Sequence, residues 1–239
     1  MDRLPTSKLV GRLAAVLAVG FIAGFALQSA AAPSARTEPP AEATSGDTAI
    51  ASQLERAAAV DGPGPTRIES GVPAGFTRSE AGAVAAATSF LTTGQALIGM
   101  DPLAAEEAIR QMASAATADR QVDDTLEQLR GLRDVVAGGT GPIVYRQAAL
   151  AYRVDSFDRN AARLAIWHVG VFTRDAIAPP QAGWSTSTFE LAWERGDWKI
   201  VDETVVPGPA PVLDGSSAPA TSRQLIASLD GFSDFGALG

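Results

Sequence analysis

The sequence has no cysteine among its 239 residues and a single histidine, His168. Without cysteine the chain cannot form disulfides, thiolate metal sites, a thiol nucleophile or a lipid-modified cysteine anchor. One histidine also excludes every metal site built from several imidazoles. We therefore expect no metal ion and no cofactor in this protein.

Basic residues are outnumbered, and they are dispersed along the chain. The sequence has 19 Lys and Arg against 27 Asp and Glu, which gives a formal net charge of -8. It contains no cluster of Lys and Arg that could neutralise a phosphate backbone. We therefore expect no direct contact with nucleic acid.

Large apolar side chains are also few. Aromatic residues make up 6% of the chain, and much of its 46% hydrophobic content is alanine, which buries little area per residue. The predicted core therefore depends on a small number of large side chains.

The first 32 residues carry a targeting pattern. A basic cytoplasmic segment at 1–12 precedes an uncharged stretch at 13–32, which is long enough for a helix to cross the hydrocarbon core. The charge order places everything after it outside the cytoplasm. The letters "SAAAP" also fit a cleaved signal peptide, although Pro33 disfavours a cut directly before it. The prediction is a single-pass protein of the cell membrane with its C-terminal domain outside or, after cleavage, a secreted protein.

A stalk is predicted between this segment and the folded domain. Residues 33–70 are rich in Pro, Ala, Thr, Ser and Glu and poor in large apolar groups. Such a composition cannot bury enough surface to offset the entropy of ordering. We therefore expect a disordered stalk at 33–70 and a folded domain at 71–206.

Two helices are predicted at the start of that domain. Thr77 and Glu80 form a capping-box pattern that should open the first helix. Asp101, with Pro102 at the first helical position, should open the second. The buried side of the second helix would be formed by Leu103, Ile109 and Met112.

A third helix is predicted from about Ala118 to the paired glycines Gly138 and Gly139, which should end it. Its apolar face would be formed by Val122, Leu126, Leu129 and Val136.

Beyond these glycines the spacing of apolar residues changes to period two, which is typical of strands. A second strand is expected at about 162–172, followed by a hairpin. This order predicts an α+β fold with about three helices packed on a curved antiparallel sheet of about four strands. The inward side of the first strand would be formed by Val144, Ala148, Leu150, Tyr152 and Val154.

The stretch "WERGDWKIV" allows three interpretations: an active site, an adhesive Arg-Gly-Asp tripeptide, or a tight turn. Gly196 supplies the backbone freedom that a hairpin loop requires, and Arg195 and Asp197 are residues that such loops tolerate in water. Trp193 and Trp198 flank the turn, where a cross-strand aromatic contact can fix the register. We therefore predict a structural hairpin.

Three helices followed by a meander that ends in this hairpin resemble the nuclear-transport-factor-2-like (cystatin-like) cone. The matching pieces are "GVPAGFTRSEAGAVAAATSF", "STFELAWERGDWKIVD" and "VPGPAPVLDG". They are similar to extracytoplasmic domains of membrane proteins associated with actinobacterial conjugative elements and type IV secretion. The resemblance implies a non-enzymatic scaffold or assembly protein of a conjugative transfer or secretion apparatus. Its partners would be protein subunits of a cell-envelope complex or further copies of itself.

The same fold also hosts isomerases and hydrolases, so an interior pocket is the alternative. Tyr152 and His168 lie on neighbouring predicted strands and could face such a cavity, which would suit a small-molecule-binding protein or an enzyme. A lone histidine on an apolar strand is also typical of a hydrogen-bonded core residue. No residue is therefore assigned a catalytic role. An interior filled by Phe, Leu and Trp side chains would argue against the pocket.

Two segments are candidates for a protein interface. Trp184 follows "PPQAG" in a predicted loop, where a large aromatic without a strand face can mark a binding surface. Residues 207–239 predict a Pro-rich spacer and a short C-terminal helix. Such a helix is marginal alone, so it must pack on its own domain or on a partner. Its apolar stripe comprises Leu225, Ile226, Leu229 and Phe232.

Overall fold

The computed structural model describes residues 63–175, 178–210 and 227–235. The predicted membrane segment at 13–32 and most of the predicted stalk lie outside these residues. Within them, one helical stretch, Glu80–Gly99, is long and apolar enough to cross a membrane. Most of that stretch is buried inside the domain, as expected for a core helix.

Short strands, helices and longer strands follow one another along the described chain. A 3-10 helix, Leu97–Gly99, continues the first α-helix. The other elements are β1 (Arg67–Glu69), β2 (Val72–Ala74), α1 (Glu80–Ala96), α2 (Pro102–Met112), α3 (Ala118–Val136), β3 (Thr140–Phe157), β4 (Ala161–Asp175), β5 (Ala178–Glu194), β6 (Asp197–Pro207) and β7 (Ser233–Asp234).

The main sheet has five antiparallel strands in the order β6-β5-β4-β3-β7, so the predicted four-stranded sheet is wrong. The three α-helices found between residues 63 and 175 agree with the predicted number. The additional strand, β7, pairs with Ala151 and Tyr152 in the middle of β3. Two residues are too few to show a strand period, so no pattern in the sequence could indicate it.

A separate hairpin of β1 and β2 precedes the helices. It spans the predicted boundary between stalk and domain at residue 71, because Arg67–Glu69 lies before that boundary and Val72–Ala74 after it. The described fold therefore includes a few residues that had been predicted to belong to the stalk.

The helix starts follow the capping rules, with one shift from prediction. The cap of α1 is Ser79, whose Oγ accepts a hydrogen bond from the backbone N–H of Gly82 at 3.1 Å. The hydroxyl of the predicted cap, Thr77, instead lies 2.8 Å from the hydroxyl of Ser79. Asp101 caps α2 as predicted, since its carboxylate accepts from the first N–H groups of that helix.

The core lies between the helices and one face of the sheet. α1 packs across β3 and β4, while α2 packs against α3 and β6. Leu103, predicted to be buried on α2, is 74% exposed, because the first turn of that helix faces solvent. The largest fully buried apolar side chains are Trp198, Phe189, Leu97, Ile109, Leu129, Leu164, Ile166 and Leu191.

A β-bulge in β3 changes which side chains reach this core. Leu150 is the extra residue, because the residues on either side of it pair with consecutive residues of β4. Before the bulge Tyr145 and Gln147 are buried, and after it Tyr152 packs on the core. Ala148, which was predicted to point inward, is exposed. One inserted residue exchanges the two faces of a strand, and a regular alternation cannot anticipate it.

The predicted hairpin around Arg195 and Gly196 is confirmed. Both residues have positive φ, 54° and 79°, which is the geometry of a type I′ turn. Trp193 and Trp198 lie directly opposite each other across β5 and β6. Their ring centroids are 5.3 Å apart with an interplanar angle of 76°, so the edge of one ring meets the face of the other.

Asp197 was predicted to lie in water, but it is buried. Its carboxylate accepts hydrogen bonds from the backbone N–H groups of Gly75 (2.8 Å), Phe76 (3.2 Å) and Trp198 (3.0 Å). The indole N–H of Trp198 donates to the carbonyl of Thr77 at 2.9 Å. The first two residues of β6 therefore fasten the connection between β2 and α1 onto the sheet.

Replacing Trp198 should test this connection. The substitution Trp198→Ala should lower the free energy of unfolding by about 3–5 kcal/mol, because it leaves a large core cavity and an unpaired Thr77 carbonyl. Denaturant titration of the full chain measures the loss. The control Leu103→Ala, at an exposed site, should change it by less than about 0.5 kcal/mol. Equal losses in the two variants would contradict this assignment of the core.

Candidate interaction surface

The face of the main sheet that points away from the helices is here termed the outer face. Along β4 the buried residues alternate with more exposed ones, and Ile166 and His168 belong to the buried set. Trp167, Val169 and Val171 occupy the alternate positions, which places them on the outer face.

Apolar residues cluster on one half of this outer face. Val169 pairs with Trp184 of β5, and Val171 pairs with Ala182. Residues that pair directly across antiparallel strands share a face, so these side chains form one patch. Val171 is 38% exposed, and Val206 of β6 is 50% exposed. The patch, termed the apolar half, comprises Trp167, Val169, Val171, Ala182, Trp184 and Val206.

Charged residues occupy the other end of the same face. Arg163 of β4 makes an ion pair with Glu190 of β5 and lies 3.8 Å from the carboxylate of Asp155. Asp155 also accepts a 2.6 Å hydrogen bond from the guanidinium of Arg153. The outer face is therefore divided into an ion-paired half and a half in which apolar side chains predominate. The polar members of the second half are Arg146 of β3, opposite Val171, and Thr186 of β5, between Trp167 and Val206.

The chain that follows β6 contributes to the border of the apolar half. The indole N–H of Trp167 donates to the carbonyl of Pro209 at 3.0 Å. The hydroxyl of Thr186, which lies opposite Trp167 and Val206, donates to the carbonyl of Gly208 at 3.0 Å. These bonds satisfy the polar groups of Trp167 and Thr186 and hold the Trp167 ring in place.

The predicted loop position of Trp184 is wrong. β5 begins at Ala178 and includes the "PPQAG" stretch, so Trp184 lies within a strand and pairs with Val169. Two consecutive prolines suggest a loop, but here they stand at the start of the strand, where proline is tolerated. Trp184 thereby becomes part of a continuous sheet surface.

Tyr152 and His168, the predicted pocket residues, are not brought together. Tyr152 lies opposite Ile166, and its ring is 5.2 Å from that of Phe235. His168 is 2% exposed, and its Nε2 lies 3.0 Å from the hydroxyl of Ser187. The two side chains therefore have different neighbours and do not form a joint polar centre.

The interior does contain polar groups that the sequence did not indicate. Tyr145 and Gln147 are buried on the core side of β3. The Tyr145 hydroxyl, the Gln147 side-chain amide and His168 Nδ1 make no hydrogen bond within the described part of the chain. Burial raises the pKa of Tyr145, and the nearby Glu203 carboxylate raises it further. The bulge at Leu150 explains why these residues were missed, since it reverses the predicted face of β3.

The predicted C-terminal interface is described in part. Leu225 and Ile226 lie outside the described residues, whereas Leu229 and Phe232 are partly buried. The ring of Phe232 packs under the guanidinium of Arg153, 4.9 Å from the ring centroid. Phe232 therefore contacts its own domain. Within the described residues, no three His, Cys, Asp or Glu side chains are grouped so that they could hold a metal ion.

These features define an α+β domain whose sheet is covered by helices on one face and carries an apolar half on the other. The model of the family described as "Domain of unknown function (DUF8175)" matches residues 23–232, and the chain belongs to that family. A search of curated proteins found no match.

One solved structure with some likeness is the intermembrane space region of the chloroplast protein ARC6. It is 14% identical, with a TM-score of 0.34, and the alignment covers 59% of this chain and 99% of that one. This TM-score is too low to support an argument about fold or function.

The burial of His168 predicts a pH-dependent stability. Burial lowers the pKa of His168 from 6.5 to about 4, so the folded protein keeps it neutral while the unfolded chain takes up a proton. The free energy of unfolding should therefore fall by about 2–3 kcal/mol as the pH drops from 6.5 to 4.5. Denaturant titrations across this range measure the slope.

The variant His168→Gln serves as the control, because the chain has no other histidine. It cannot titrate at this position, so its free energy of unfolding should fall much less between pH 6.5 and 4.5. A small slope near pH 4.5 should remain from Glu69 and Glu194, whose pKa values are lowered in the folded protein. An equally steep decline in the variant would show that other groups cause the effect.

Proposed function

We propose that this protein is a membrane-anchored, extracytoplasmic scaffold that binds a protein subunit of the cell envelope through the apolar half of the outer face. The observation that carries the proposal is the exposure of Val171 and Val206 beside Trp167 and Trp184. An exposed patch in which apolar side chains predominate is a common mark of a protein-binding surface.

The composition of the outer face supports this assignment. Tryptophan is enriched among the residues that dominate binding energy, and its rigid ring buries a large area with little loss of side-chain entropy. Charged side chains are typical of the rim of an interface. The network of Arg153, Asp155, Arg163 and Glu190 would form such a rim along one side of the apolar half.

The packing of the interior favours binding over catalysis. Phe189, Leu164, Ile166 and Trp198 fill the space between the helices and the sheet. His168 is kept neutral by burial, and Tyr152 does not adjoin it. A small-molecule-binding function is the second candidate. The observation that favours it is the set of buried polar groups at Tyr145, Gln147 and His168 that make no hydrogen bond within the described residues.

The anchor and the cellular setting belong to the proposal as well. The uncharged segment at 13–32 would hold the protein in the membrane, and the segment at 33–70 would connect it to the domain. The resemblance to conjugation and secretion proteins suggests a partner in such an apparatus. Release of the chain as a monomer into the culture medium would argue against an anchored scaffold.

Site-specific photocrosslinking in native membranes would test the proposed surface. A photoreactive residue at Val171 should yield one discrete adduct, because that position would lie within the interface. The substitution Val206→Glu should reduce this adduct at least tenfold, since an interface that buries Val206 would have to desolvate the new carboxylate. Mass spectrometry identifies the crosslinked protein as another envelope subunit or a second copy.

The matched control places the same photoreactive residue at Leu103, which is exposed on α2, away from the outer face. It should not yield the adduct obtained from Val171. Crosslinking of one partner from both positions, or no adduct from Val171 in intact membranes, would contradict the proposal.

A further inference from the structure

A polar cavity of about 80 Å³ lies where β1, the C-terminal end of α2 and the β5–β6 hairpin meet. It is separate from the apolar half of the outer face, because none of the residues that line it belongs to that patch. Its basic lining residues are Arg67, Arg110, Arg195 and Lys199, and its acidic ones are Glu69, Glu194 and Asp197.

The acidic groups of this cavity already have donors from the protein. Both oxygens of Glu69 accept hydrogen bonds, one from Arg67 at 2.5 Å and one from Gln111 at 2.6 Å. Glu194 accepts from the Ser114 hydroxyl at 2.7 Å and from a backbone N–H at 2.9 Å. The hydrogen bond from Arg67 lowers the pKa of Glu69, and that from the Ala115 N–H lowers the pKa of Glu194.

The carboxylate of Asp197 also accepts hydrogen bonds from the protein. Both of its oxygens accept backbone N–H groups, and Arg67 lies 3.6 Å from one of them. All six carboxylate oxygens of the cavity therefore have a partner within the protein. Each carboxylate oxygen has two lone pairs, so these bonds hold the three carboxylates in place without using all of their acceptor capacity.

Two of the basic side chains have N–H donors that make no hydrogen bond within the described residues. Lys199 is 8% exposed, and its ammonium group donates to the backbone carbonyl of Gln111 at 2.5 Å. An ammonium carries three N–H donors, so two remain beyond this bond. Arg195 is exposed at the hairpin turn, and its guanidinium has no hydrogen-bond partner among the described residues. Lys199 and Arg195 therefore have N–H donors that an anion in the cavity could accept.

The charge and size of the cavity limit what it can hold. Four basic and three acidic residues line the cavity, and Arg110 among the basic ones is already paired with Glu106 and Asp119 outside the lining. A volume of about 80 Å³ exceeds the share of one liquid water, about 30 Å³, but is far below the pockets of drug-sized ligands. An ionised carboxylate carries one negative charge and two acceptor oxygens, and it suits Lys and Arg donors.

We propose that this cavity is a carboxylate-binding site in which Lys199 and Arg195 donate to the two oxygens of a single carboxylate group. The carboxylate would come either from a free small acid or from an acidic group of a polypeptide, since both present the same chemistry. Burial lowers the pKa of Lys199, with Asp197 and Glu69 opposing that effect, so a bound anion would further favour the charged ammonium.

Lysine side-chain NMR would test the site, because the chain contains two lysines, Lys8 and Lys199. The full chain in detergent would be labelled at the lysine ε-carbons and titrated with sodium acetate, which replaces chloride at constant ionic strength. The Lys199 signal should shift and saturate at roughly millimolar acetate, as expected for so small a ligand. The Lys8 signal should not saturate, and it serves as the internal control.

A pair of arginine variants would locate the second donor. Arg195→Asn should weaken acetate binding at least threefold, and the resulting Asn-Gly turn suits the type I′ hairpin, so the fold should be retained. Arg130→Ala removes an equal charge from an exposed position on α3 outside the cavity. It should leave the acetate affinity unchanged. Equal weakening by both variants would show that acetate responds only to the overall charge of the protein, and it would contradict the proposed site.

Further titrations would distinguish the source of the carboxylate. Tighter binding of a short peptide with a free C-terminal acid than of acetate, lost when that acid is amidated, would indicate a polypeptide. Equal affinities for acetate and peptide would indicate a free acid. A saturable shift with inorganic phosphate but not with acetate would contradict the carboxylate assignment. A Lys199 signal that moves in parallel with Lys8 would contradict the site altogether.

Discussion

Asp197 and Trp198 stand at the first two positions of β6 and connect three parts of the fold. The carboxylate accepts the backbone N–H groups of Gly75 and Phe76, and the indole donates to Thr77, so the connection between β2 and α1 is held against the β5–β6 hairpin. Unpaired N–H groups in this buried setting would be costly. Because Trp198 also fills the core, the position of α1 on the sheet depends on this pair.

The placement of the helices determines which surfaces remain for function. Because the helices cover one face of the sheet, the outer face remains uncovered by them. On that face Val171 and Trp184 lie beside the ion-paired half. The same hairpin that anchors the core through Trp198 also presents Arg195 and Lys199 to the polar cavity. The apolar half of the outer face and the proposed carboxylate site are thus distinct surfaces of one domain.

Local chemistry in the sequence was sufficient to predict the helices and the hairpin. Asp101 before Pro102 and Gly196 between two strands are determined by nearby residues, and both predictions agree with the structure. Features set by distant partners were missed. The burial of Asp197 depends on amides more than 100 residues away, at Gly75 and Phe76. The bulge in β3 and the two-residue β7 follow from strand pairing, which leaves no periodic mark in a single sequence.

Hydroxyl-radical footprinting of the four tryptophans, in native membranes and in the purified chain, tests the central claim most directly. Trp198 is fully buried and should remain unmodified in both preparations, which verifies that the fold is intact. If the apolar half binds a partner, Trp184 should be oxidised several-fold more slowly in membranes than in the purified monomer. Equal oxidation of Trp184 in the two preparations would contradict the account.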